Sequence, residues 1–136
     1  AHDVRRAATD GERVLRLRVR QSDEPLMCPF RCDGPAVRRY MTMHLRGRPN
    51  QFVDITCISN RIEPRDPVPL LDRNARRTRL PVPLCSSCNR VRLGISQWAE
   101  ADEAVRQLHW FDLDDQPALS HTLCDRCQAE TLGLVP

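Results

Sequence analysis

Between residues 37 and 58 the apolar positions recur at every second residue. Met41, Met43 and Leu45 alternate with Tyr40, Thr42 and His44; Val53, Ile55 and Cys57 alternate with Phe52, Asp54 and Thr56. A period of two sends the two sets to opposite faces of a strand, so strands are expected over Val37 to Arg46 and Phe52 to Ile58. Leu26 to Cys32 predicts a shorter strand, and Pro29 within it, lacking an N–H, confines it to an edge or a strand start. Asp33-Gly34-Pro35 and Gly47-Arg48-Pro49-Asn50 are turn sequences. Together these segments predict an antiparallel meander.

The flanking segments follow other patterns. Thr9-Asp10-Gly11-Glu12 has the spacing of a capping box, which predicts a helix to about Gln21. The alternation of Leu15, Leu17 and Val19 with Arg16, Arg18 and Arg20 argues for a strand instead; the helix is the reading adopted. Residues 61–83 hold five of the eleven prolines and six arginines, which predicts a linker, semi-rigid where prolines cluster. Beyond it, Trp98, Ala101, Val105 and Leu108 fall at helical spacing, so a helix is expected from Ser96. Glu100, Asp102 and Glu103 in its first turns suit the helix dipole. Pro117 ends an acidic loop, Asp112 to Asp115, and a last short helix is expected from near Cys124 to Gly133.

The strongest chemical signal is a pair of Cys-x-x-Cys motifs, Cys85-Ser86-Ser87-Cys88 and Cys124-Asp125-Arg126-Cys127. Each pair can sit on one tight turn and aim both sulfurs at one ion, and four thiolates make a closed tetrahedral zinc site. Such a site has no position open to water, so it builds structure and does not catalyse. Asn89, just after the first pair, is where the chain needs a left-handed residue, which Asn tolerates. His121 lies three residues before Cys124 and is assigned to the surroundings of the site, the alternative being that it replaces a thiolate. A redox pair or disulfides are the competing readings of the cysteines, but a thioredoxin-like pair should open a helix within a βαβ unit. Cys28, Cys32 and Cys57 are expected to be buried, inert strand cysteines, against a weaker reading in which they form a second metal site with His44.

Composition narrows the function. All 21 basic residues are arginine, which excludes a Schiff-base lysine, a P-loop lysine and a lysine general base within these 136 residues. The net charge of +3 conceals an asymmetry: residues 85–127 carry four arginines against seven acids, the rest 17 against 11. With four thiolates and one Zn²⁺ the metal module would reach about −5, a poor surface for phosphates. Arg76-Arg77 and Arg79 have no interleaved aromatics for base stacking. His44 and His109 have no carboxylate or serine partner pattern, and no G-x-S-x-G, P-loop or H-E-x-x-H motif occurs. No apolar run reaches the ~20 residues of a membrane span, no signal peptide is visible, and the odd count of seven cysteines fits metal ligands plus thiols. A cytoplasmic protein is expected.

The tail Leu84-Cys-Ser-Ser-Cys-Asn-Arg-Val-Arg92, then Trp98, then Ser120-His-Thr-Leu-Cys-Asp-Arg-Cys127 resembles a bacterial module of pattern C-S-x-C-K-x-[IV]-R…W…S-H-G-[IV]-C-P-x-C, found after PAS or GAF sensor domains. Pro29 to Asp33, Arg38-Arg39 and Pro67 to Asp72 extend the resemblance to a small family of PAS-like proteins ending in this module. Asn89, Thr122 and Asp125 depart from the pattern, and none removes a thiolate. The resemblance implies an α+β chain: residues 1–60 as the C-terminal half of a PAS-like domain, a linker over 61–83, and a four-cysteine zinc module with a helical insert over 84–136. It further implies a non-catalytic sensory or regulatory protein, with a partner protein or self-association. The alternative is a zinc-dependent nucleic-acid-binding transcriptional regulator using the arginine-rich face.

Overall fold

The computed structural model describes residues 10–21, 24–110 and 113–133. Helix α1 spans Asp10–Gln21. Leu15 and Val19, one turn apart, are buried against Leu45, whereas Leu17 is 53% exposed. Helical spacing therefore decides this segment, because a strand would have turned all three residues to one face. The cap expected at Thr9 lies outside the described residues.

The meander forms as expected, with β1 (Leu26–Arg31), β2 (Val37–Gly47) and β3 (Val53–Pro64) in antiparallel order β1-β2-β3. Leu45, Met43, Leu26, Cys28 and Val53 share the face against α1. Helix and sheet approach so closely at Gly47 that an added Cβ would stand 2.6 Å from the Val19 carbonyl oxygen. β3 runs past its expected end because Asn60 bulges out, restoring the pairing of Arg61 with Tyr40.

Residues 61–83 are not a linker. They hold the end of β3, a 3-10 turn at Pro69–Leu71 and most of β4 (Arg77–Cys85). Val68 and Leu70 are fully buried in the larger core, with Leu84, Val91, Ala101, Ala104 and Val105. Side chains of this size each contribute about 1.5–3 kcal/mol on burial. The prolines fit β4 because Pro81 and Pro83, two residues apart, remove N–H donors from one edge only. β5 pairs with β4 solely at Leu84, while β7 follows it from Arg77 to Cys85.

The second sheet has the order β6-β5-β4-β7, completed by β5 (Val91–Gly94), β6 (Gln97–Ala99) and β7 (Gln116–Thr122). The helix expected from Ser96 begins later, as α2 (Ala101–Gln107). Ser96 has φ 58° and turns the chain between β5 and β6, so Trp98 belongs to a strand and the helical insert is a hairpin plus a shorter helix. His109, at φ 57°, supplies the left-handed residue after α2. Helix α3 (Asp125–Gly133) matches its expected limits.

A polar joint connects the two sheets. The Arg31 guanidinium donates to Asp33 at 2.5 and 3.2 Å and to Glu100 at 2.7 and 3.1 Å. Arg38 reaches Glu63 at 3.3 Å and Asp102 at 3.2 Å, and Arg65 reaches Asp33 at 3.4 Å. Two main-chain donors complete it: Arg31 N–H to the Ser87 carbonyl at 2.6 Å, and Asp33 N–H to Asn89 Oδ1 at 2.8 Å.

Candidate metal centre

The parallel pairing of β4 with β7 brings the two Cys-x-x-Cys motifs together. Their register sets Cys85 beside Thr122, so both strands deliver a motif at the same end of the sheet. Ser86 N–H donates to the Thr122 carbonyl at 2.7 Å and ties the two exits. Cys85 ends β4, and the chain turns through residues 86–88. Asn89 N–H donates back to the Cys85 carbonyl at 2.9 Å, and Cys85 N–H donates to the Arg90 carbonyl at 2.8 Å. Asn89 takes φ 61°, the left-handed conformation expected of it.

The second motif opens a helix. Gln128 N–H donates to the Cys124 carbonyl at 2.8 Å, and Cys127 N–H points at Cys124 Sγ at 3.5 Å. Cys124 therefore stands where a helix N-cap would, just ahead of α3.

All four sulfurs lie within 4.8 Å of one another, and all four residues are buried. Cys88 and Cys124 Sγ are 3.8 Å apart, the edge of a tetrahedron whose metal–sulfur arms are ~2.3 Å. Trp98 and Leu123 pack against the group, so Trp98 seals the site as a packing residue. The four cysteines could hold a metal ion: the donors are all soft, the spacing suits tetrahedral coordination, and no fifth side chain is needed.

The electrostatics of the thiols are compatible with a site that could hold a cation. The Cys88 thiol donates to Cys85 and holds its pKa low; Cys88 is pushed up by the same contact and by burial. Cys127 is pushed up to about 11 by burial, the bond to Cys124 and the negative charge of its neighbours. Four sulfurs this close cannot all ionise without a compensating charge, which a bound divalent ion would supply.

His121 is exposed on β7, opposite Leu84, outside the four-sulfur group. Among the described residues no second metal-binding group occurs, so Cys28, Cys32, Cys57 and His44 are not brought together as ligands. None of the three is buried as expected: Cys28, beside the α1 core, and Cys32, just past the end of β1, are half-buried, and Cys57 is exposed. The sequence reading missed Asn89's second role, as acceptor for Asp33, and Ser87's as acceptor for Arg31. The only signal was their position, Ser87 inside the first motif and Asn89 just after it. No described helix is long and apolar enough to cross a membrane. Comparison of the chain with family models, with curated proteins and with solved structures finds no match to any of them.

Proposed function

We propose that the chain is a non-catalytic regulatory protein in which a partial PAS-like sheet is joined to a structural zinc centre that serves as a docking module. The observation that carries this reading is the group of four buried sulfurs within 4.8 Å of one another, enough donors to fill the coordination of a tetrahedral ion. Zinc is the ion of choice because it is redox-inert, accepts four thiolates and has no geometric preference beyond the tetrahedron. The PAS-like part of the reading is supported by a helix followed by a three-stranded meander. The nucleic-acid alternative is disfavoured because Arg31, Arg38 and Arg65 are committed to carboxylates at the joint and the metal module is acidic. Absence of binding to nucleic acid at low salt is the expected companion result.

Cobalt substitution tests the closed site. The Co²⁺ form should show the thiolate-to-metal and ligand-field absorption of a tetrahedral four-sulfur site, unchanged by added imidazole or cyanide. A spectrum that shifts with either ligand would reveal an open coordination position and overturn the non-catalytic reading.

A further inference from the structure

We propose that the chain forms a two-fold dimer in which β3 pairs antiparallel with β3 of a second copy, with Cys57 on the axis. The inference is independent of the metal.

Strand β3 lies at the end of its sheet, so β2 satisfies only one of its two backbone edges. At 12 residues it is the longest strand described. Phe52, just before it, and Ile55, Ile58 and Ile62 along it are all exposed, Phe52 by 68%. A long apolar edge of this kind is a template for another strand. Other sheet edges are blunted: β1 carries Pro29, β7 carries Pro117, and β6 has three residues.

The pleat limits the register to pairings centred on a residue, and charge complementarity selects Cys57. Pairing with β2 places Asp54, Thr56, Ile58, Arg61 and Glu63 on one face and Val53, Ile55, Cys57, Ser59 and Ile62 on the other, with Asn60 as the extra residue. An antiparallel self-pairing must match face to face. Centred on Cys57, it sets Thr56 opposite Ile58 and Ile55 opposite Ser59. The Asn60 bulge then shifts the ladder by one, bringing Asp54 opposite Arg61 and Val53 opposite Ile62. Each dimer thus contains two opposite-charge pairs, two β-branched pairs and two apolar pairs, all of which stabilise antiparallel neighbours. Without the bulge Asp54 would face Asn60. Arg61 now stacks on the ring of Tyr40, its partner on β2, 4.2 Å from the centroid, and on pairing it turns outward to Asp54 of the second copy. The present local partners, Arg48 for Asp54 and Glu63 for Arg61, form exposed pairs, which exchange at little cost.

Sedimentation equilibrium of the wild type, Asp54→Arg, Arg61→Asp and the double variant tests the proposal. The wild type should dimerise. Each single reversal should raise the dimer dissociation constant on the order of tenfold, since it creates two like-charge contacts, and the double variant should restore it. A short bismaleimide should link wild-type copies and fail with Cys57→Ser. A monomer at every concentration, a dimer indifferent to the single reversals, or a double variant that stays weak would each overturn the β3 pairing; monomer would point to another chain or segment covering this edge.

Discussion

Replacing Asp33 by alanine should loosen the joint between the two sheets, and the structure allows the cost to be bounded. The carboxylate is 1% exposed and lies against Arg31 and Arg65, which are 12% and 4% exposed. It also accepts Arg39 N–H at 3.2 Å. Breaking a buried ion pair by removing one partner costs about 3–5 kcal/mol, because the remaining charge stays out of water without compensation. Arg31 keeps Glu100, whereas Arg65 keeps the Gly34 carbonyl, at 3.0 Å. The loss should therefore fall near the lower bound, about 3 kcal/mol. Asp33→Asn retains an acceptor but not the charge and should lose about 1.5–3 kcal/mol. Urea denaturation at one fixed metal concentration reads both, with the alanine midpoint lower by about 1–3 M for an m-value of about 1–3 kcal/mol/M. An Asp33→Ala protein within about 0.5 kcal/mol of wild type, with an unchanged m-value, would refute the view that this buried network holds the sheets together.

Three further outcomes are expected. Asn89→Ala should destabilise by about 1–3 kcal/mol, losing the Asp33 bond and forcing a left-handed alanine; Asn89→Gly should recover the backbone part of that loss, as thermal melts would show. Gly47→Ala should lower the melting temperature, since its Cβ meets the Val19 carbonyl at 2.6 Å and overpacking costs about 1–3 kcal/mol; an unchanged melt would mean α1 moves freely on the sheet. Under a thiolate-selective reagent Cys57, exposed on β3, should label before Cys28, whose half-burial pushes its thiol pKa up. Peptide mapping of the first labelled site checks the order.

What could be read from the sequence was what is local. The three strands of the meander follow from alternation and from turns such as Gly47-Arg48-Pro49-Asn50. The metal motifs follow from spacing, and the left-handed Asn89 from its place after the first pair. The misread parts depend on distant partners. Nothing within Arg79-Leu-Pro-Val-Pro-Leu84 signals a strand; it becomes one because β7, some forty residues later, supplies a parallel edge that tolerates the prolines. Val68 and Leu70 look like linker residues until the core formed by β4, β5 and α2 closes over them. Trp98 matches a helical period by coincidence, because the Ile95-Ser96 turn reverses the chain ahead of it without a central glycine. The joint at Asp33 joins residues 56 positions apart, and no local pattern encodes that.

The central claim is that Cys85, Cys88, Cys124 and Cys127 close around one structural ion. Elemental mass spectrometry on protein purified without added metal tests it directly, alongside a Cys85→Ser/Cys124→Ser variant. The account predicts about one zinc per chain, lost in the variant together with the folded signal of the second sheet, because metal binding of this kind contributes about 10–16 kcal/mol. Well-folded wild-type protein free of metal would contradict it, and the two motifs would then have to be read as thiol chemistry.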